Sequence, residues 1–267
     1  MKKLLSLTAF AVVLLIAVQS CKKEKQAPSS DEISQDVLTQ IRSHGFSTDN
    51  VMKDEGGYVV EGDIFIPDGD LSKPAAWSSL VVANTEQYRT TNLVTGLPRN
   101  ITVSVANNLP SSYVTATNEA IARYNALGLT ITFSRVSGKN ANIRITKAPW
   151  YAQYLASAGF PTSNGNPHNS IRINSTYLGS NPGTNYLATI LAHEMGHCIG
   201  FRHTDYMDRS YSCGGSFYNE GDGGVGAIHI PGTPTTADAN SWMLSCIGSG
   251  VNRPFNSNDQ TALNYLY

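Results

Sequence analysis

Charge is scarce in this chain. Of 267 residues only 15% are charged, and 19 Lys and Arg against 20 Asp and Glu leave a net charge of −1. With neither sign in excess, no basic stripe can neutralise a phosphate backbone, and nucleic acid is not an expected partner. Cysteine is equally sparse: there are 4, and none of them pairs into the clustered spacing of a closed structural metal site. Apart from the first twenty residues, no apolar run reaches membrane-spanning length. Any tie to a membrane therefore has to come from the N-terminus.

That terminus begins Met1-Lys2-Lys3, runs through "LLSLTAFAVVLLIAV" and ends in "QSC". A basic start, a short apolar stretch and a small-residue end make an export signal over 1–20 rather than a spanning helix. Cys21 after Val18-Gln19-Ser20 is similar to a lipoprotein signal, in which the cysteine carries the lipid and becomes the mature N-terminus. "KKEKQAPSS" then reads as a solvated tether over 21–30. The implied location is outside the cytoplasm, lipid-anchored to a bacterial membrane at the outer membrane or cell surface, with release after cleavage. In that oxidising setting Cys198, Cys213 and Cys246 allow one disulfide and leave one thiol. Three pairings are open; Cys213–Cys246 is favoured because both read as loop residues.

The densest information lies in "HEMGHCIGFRH", residues 193–203, which holds three of the six histidines. A shuffled chain of this composition would carry that pattern roughly a few times in 10⁶. Residues i and i+4 share a helical face, so His193 and His197 can aim two imidazoles at one point. Glu194 lies a step round the helix, placed to serve as a general base without ligating. Gly200 can end the helix at positive φ and turn the chain so that His203 supplies a third nitrogen. Three protein ligands leave a fourth zinc position open, the mark of a catalytic site. The supporting helix is "TNYLATILAHEMGHCIG", with Leu187, Ile190 and Leu191 for burial and Thr184 as its expected N-cap.

H-E-x-x-H-x-x-G-x-x-H resembles the metzincin clan of zinc endopeptidases, and "HEMGHCIGFRHTD" is most similar to the bacterial metallopeptidases named for their HEIGH sequence. Features around "GFRH" also resemble astacins. The resemblance implies one catalytic Zn²⁺ on His193, His197 and His203, Glu194 as base, protein or peptide substrates, and a Met-turn beneath the metal, for which Met243 in "SWMLSC" is the candidate. Astacins carry a tyrosine two residues after that methionine; here the position is Ser245. Astacin prosegments block the metal with the aspartate of an F-E-G-D-like motif. The counterpart here is Glu61-Gly62-Asp63-Ile64, with Asp63 as candidate latency ligand. No cysteine lies between 22 and 197, so a cysteine switch is excluded.

Around these landmarks the chain divides into a prosegment-like segment at 31–70, a Ser- and Ala-rich linker at 71–90 and a metzincin-like catalytic domain at 91–267. The first contains a helix in "DEISQDVLTQIRSHGF" stopped by Gly45, and one strand across "GGYVVEGDIFIP". The catalytic part reads strand (99–106), helix (111–128), strands at 129–136, 141–148 and 169–178, then the zinc helix. That order predicts an α/β fold: a mostly parallel twisted sheet with an antiparallel edge strand, 169–178 being the edge. The half after His203 is loop-rich and closes on a helix over "FNSNDQTALNYLY", capped by Ser257 with Gln260. Glu220 and Asp222 among glycines offer a Ca²⁺ site, although EF-hand spacing is absent. His168 and His229 read as ordinary histidines. The chain is expected to be a monomer. Two rival readings are a non-proteolytic surface lipoprotein that binds glycans or proteins beside its zinc, and a zinc hydrolase of a non-peptide bond.

Overall fold

Sheet and helices alternate along the chain much as the residue patterns demand, with departures at the hairpin end of the sheet and at an inner strand. The computed structural model describes residues 33–73, 87–221, 224–234 and 236–267. The export signal, Cys21, the tether, Asp222 and the middle of the expected linker lie outside the described residues, which all belong to one compact unit.

In chain order the elements begin with α1 (Gln35–Ser43), β1 (Met52–Asp54), β2 (Gly57–Val60), β3 (Ile64–Pro67) and α2 (Asp68–Leu71). Next come β4 (Tyr88–Arg89), β5 (Arg99–Val105), α3 (Ser111–Asn125), β6 (Ile131–Arg135), β7 (Ile143–Lys147), β8 (Ala156–Ala158) and β9 (Ser170–Ile173). The last are α4 (Ser175–Leu178), α5 (Thr184–Ile199), α6 (Ser210–Cys213), β10 (Ile228–His229) and α7 (Ser257–Leu266).

Eight strands form one sheet in the order β1-β2-β3-β8-β9-β7-β5-β6. β6, β5, β7 and β9 are parallel neighbours, and β8 turns antiparallel to β9. Alternation explains the register: Ile101, Val103, Ile131, Phe133, Ile143, Ile145, Ile171 and Ile173 are all buried. They meet Tyr113, Ala116, Ala120 and Tyr124 of α3 and the apolar residues of α5 in a single cluster. Tyr124 is locked there by its hydroxyl, which donates to Ala192 O at 2.7 Å. α5 is buried along nearly its whole length, so its histidines sit in the core rather than on a solvent face.

Three expectations are corrected here. The segment 169–178 is not the edge: β9 lies inside, between β7 and β8, and the antiparallel strand is β8. Its Ala156-Ser157-Ala158 carries none of the β-branched or aromatic residues that mark strands. The stretch "GGYVVEGDIFIP" is not one strand but two. β2 and β3 form an antiparallel hairpin, since Glu61 and Gly62 adopt φ of 54° and 92° and reverse the chain. With β1 they make a three-stranded extension that joins the main sheet when Ile64 of β3 pairs in parallel with Ala158. The linker is also narrower than 71–90, because Leu71 is buried under the hairpin and Gln87, Tyr88 and Thr90 are buried beneath the catalytic part.

Two caps differ by one residue. Gly183, not Thr184, is the N-cap of α5, with no side-chain cap bond. The capping box of α7 is Asn256 with Asp259 rather than Ser257 with Gln260. Asp259 is reused: it also accepts from Gln87, Ser241 and Trp242 N–H. One buried carboxylate thus ties the C-terminal helix, the turn before Met243 and the chain emerging at residue 87. Cys213 and Cys246 are disulfide-bonded, and Cys198 is a buried free thiol.

Candidate active site

α5 ends where Gly200 takes φ 110°, with its N–H donating to His197 O and that of Phe201 to Gly196 O. A Cβ at Gly200 would meet a Leu93 side-chain carbon at 2.7 Å and Asn92 O at 3.1 Å, so both conformation and space call for glycine. The chain leaving the helix is braced from outside: Thr90 N–H donates to Gly200 O and Arg202 N–H to Tyr88 O. These bonds set the direction of Phe201-Arg202-His203 and bring His203 back under the helix.

His193, His197 and His203 converge, each with a ring nitrogen anchored. His193 Nδ1–H donates to Trp242 O at 2.9 Å and His197 Nδ1–H to Phe201 O at 2.8 Å. His203 Nδ1–H donates to the Glu220 carboxylate, 2.9 and 3.0 Å from its two oxygens. Acceptors at all three Nδ1 atoms hold a proton on that nitrogen, so with a metal bound each Nε2 would offer it a lone pair. A fourth group joins them. Asp63, at the end of the β2–β3 turn, puts Oδ2 3.2 Å from His203 Nε2 and 3.5 Å from His193 Nε2. One ligand atom from each of Asp63, His193, His197 and His203 lies within 4.8 Å of all the others. His193 Nε2 and His197 Nε2 are buried without a hydrogen-bond partner. Three imidazole nitrogens and a carboxylate oxygen converging on one largely buried point fit a zinc ion, which would satisfy the orphaned nitrogens.

Glu194 is buried beside this group, with Oε2 unpartnered. Burial, reinforced by the Asp63 charge, lifts its carboxyl well above the usual range. Burial also opposes charging of Asp63, yet the nearby His203 and the hydrogen bond between them outweigh it and hold that carboxyl well below its usual range.

Met243 is fully buried under α5. A Cβ on Gly196 would come within 2.6 Å of its sulfur and 3.2 Å of the Trp242 ring nitrogen, so the turn packs directly on the helix between the two histidines. Met243 O accepts from Thr204 N–H at 2.9 Å, one residue past His203. Ser245 donates its N–H and hydroxyl to Asp205 at 2.9 and 2.8 Å, holding the turn to the third histidine's own segment.

Other candidates fall elsewhere. His168 is half-buried beside Phe65, and His229 pairs with Thr233. Neither joins the cluster. Glu220 is not free for calcium: it is buried against His203, Arg202 and Arg209. The sequence reading missed this role, as it missed Arg202, which reaches Glu61 Oε2 at 3.4 Å, and Arg209, which donates to Glu61 O. No spacing rule joins a glycine-rich loop to a histidine 17 residues away.

The family model for dual-action HEIGH metallo-peptidases matches residues 68–267. Among solved structures, one of myroilysin aligns at 15% identity over 66% of this chain and 82% of that one, with a TM-score of 0.43. A crystal structure of myroilysin aligns at 14% identity over 70% and 88%, with a TM-score of 0.40. No curated protein matches. The matched span begins after Asp63, so the hairpin that meets the histidines lies outside it.

Proposed function

Because this chain belongs to the dual-action HEIGH metallo-peptidases, and is thus a zinc metallopeptidase acting on protein or peptide substrates, we propose that it is an endopeptidase that uses Glu194 as general base and is held latent by Asp63. The observation that carries this reading is the convergence of Asp63 with His193, His197 and His203 on one point, with Glu194 buried alongside.

His193, His197 and His203 would hold the zinc, which when bound supplies a Lewis acid that acidifies water and polarises a carbonyl. Glu194 then takes a proton from the attacking water and delivers it to the departing amine. Trp242 O and Phe201 O keep His193 and His197 in the ligating tautomer throughout. In the intact chain Asp63 stands where water and substrate would approach, so residues 33–73 act as a prosegment. Export and a lipid on Cys21 belong to the same proposal, motivated by the N-terminal pattern; Cys21→Ser should move the protein out of the membrane fraction, and its persistence there would refute the anchor.

The deciding experiment measures peptide-library hydrolysis by the chain carrying Asp63→Ala, with and without a chelator. Chelation should abolish it. Adding Glu194→Gln should leave zinc stoichiometry unchanged while rates fall by about 10²–10⁴-fold. Stoichiometric zinc with no cleavage of any peptide would favour the surface-binding lipoprotein instead.

A further inference from the structure

Two of the three histidines are oriented by main-chain carbonyls and one by a carboxylate. His193 and His197 donate to Trp242 O and Phe201 O; only His203 donates to an acid, Glu220. We infer that Glu220 is a positioning residue for the metal, fixing His203 in its Nδ1-protonated tautomer and strengthening Nε2 as a donor. This rests on the zinc reading above.

The argument starts from cost. Glu220 is 1% exposed and His203 is fully buried. A buried carboxylate is expensive unless it is paired and hydrogen-bonded. Glu220 meets both conditions: Arg209 Nη1 lies 3.2 Å from Oε1 and Arg202 Nη2 3.8 Å from Oε2, with Ser245 Oγ 3.3 Å from Oε1. The two guanidiniums hold it in place. Its own N–H is tied to Tyr206 O at 2.7 Å, so the backbone is held as well as the side chain.

An anion on the distal nitrogen of an imidazole draws the N–H proton toward itself and raises the basicity of the other nitrogen. Outer partners of this kind typically change metal affinity by 10–100-fold. Neutral carbonyls do this less, so Glu220 makes His203 the strongest of the three donors. His203 is also the ligand that most needs orienting. His193 and His197 are carried by a rigid helix, whereas His203 follows a turn in extended chain. The competing view is that Glu220 only neutralises Arg202 and Arg209. Arg202 speaks against it, since it has a nearer carboxyl oxygen in Glu61 at 3.4 Å, and donates to Gly221 O and Gly226 O.

The test uses the full chain and zinc alone. Glu220→Gln keeps shape and an acceptor but removes the charge; Glu220→Ala removes both. Zinc affinity by chelator competition should weaken about 10–100-fold in Ala and less in Gln. The metal-free Gln variant leaves Arg209 without its counter-charge and should unfold more easily than wild type, so the ring signals separate a positioning role from a structural one. Proton and nitrogen NMR of the imidazole rings in the zinc-loaded protein should show the His203 Nδ1–H signal moving upfield in Gln, with those of His193 and His197 unmoved. Wild-type zinc affinity in both variants would overturn the inference. So would weaker zinc binding accompanied by a destabilised metal-free Gln variant and an unshifted His203 signal, which would make Glu220 merely structural. If wild type itself bound no zinc, the metal reading would fail first, and Glu220's role with it.

Discussion

Asp63 stands directly against His203, Oδ2 to Nε2 at 3.2 Å, across 140 residues of sequence. A turn of three residues, Glu61-Gly62-Asp63, places it there. Gly62 adopts φ 92°, and a Cβ on it would come within 2.9 Å of Arg209. Ala158 N–H holds Asp63 O at 3.0 Å.

Asp63→Ala is expected to raise peptide hydrolysis by the intact chain. A hydrogen bond to a charged group contributes about 1.5–3 kcal/mol, and each 1.4 kcal/mol is tenfold. A gain of roughly 10–100-fold in kcat/KM follows. Equal rates for variant and wild type would remove Asp63 from any latency role.

A single cut within 74–86 should not by itself release activity. Residues 33–73 are fastened by the Asp54–Arg172 ion pair, by Tyr154 donating to Asp54 at 2.7 Å, and by the β3–β8 pairing. Their apolar residues Ile41, Phe46, Val60, Ile64, Ile66 and Leu71 pack with Phe160 and Val225 of the catalytic part. Both pieces should co-elute on gel filtration, with hydrolysis low until the smaller one is removed. By the same argument, release from the lipid proposed on Cys21 would require dissociation as well as cutting. Full activity at the moment of cutting would contradict this.

Gly196→Ala should destabilise the fold without touching a ligand. Its Cβ would overlap Met243 Sδ at 2.6 Å and press on Trp242. Overpacking of this kind costs about 1–3 kcal/mol. At roughly 2–4 °C per kcal/mol for a domain of this size, calorimetry should find a melting point lower by several degrees. An unchanged melting point would mean the turn does not press on the helix.

Acid should weaken the protein through His168. Burial pushes its pKa down to about 4, with Arg172 acting the same way and Asp70 against it, and its Nε2 is buried without a partner. The folded value lies below the unfolded one, so the folded state binds fewer protons. The resulting stability is present above pH ~6.5 and is lost as pH falls through about 4, at most about 3 kcal/mol. His168→Gln should flatten the fall in melting temperature between those pH values. Parallel curves for the two proteins would exclude His168 as the cause.

The zinc motif was readable because every element of it is local: helix period, the helix-ending glycine and the return to His203 all lie within eleven residues of "HEMGHCIGFRH". The parallel strands were readable because isoleucine alternation marks them. What sequence concealed depends on contacts between distant segments. β8 has no strand-forming residues, and its identity comes from pairing with β9. Glu61 looked like part of a continuous strand because alternation runs straight through it; only its positive φ makes the turn. Glu220 looked like a loop acid because nothing near it in sequence reveals Arg202 and Arg209. The astacin-like "EGDI" drew attention to Asp63 by resemblance, while its distance from His203 is a property of the sheet that the hairpin joins.

The β3–β8 pairing also has a consequence for how the protein is made. Residues 33–73 leave the ribosome first, yet the partners that hold them, Ala158, Arg172, Arg202 and Val225, are synthesised long afterwards. The hairpin must wait, and the loop that closes is long, which slows such pairing. His193, His197 and His203 come together from the same late-made stretch. A chain that completes its histidine cluster therefore already carries, covalently attached and at high local concentration, the Asp63 turn. Under the proposed latency, timing is built into the order of segments: the blocking turn would be present before there is a site to block.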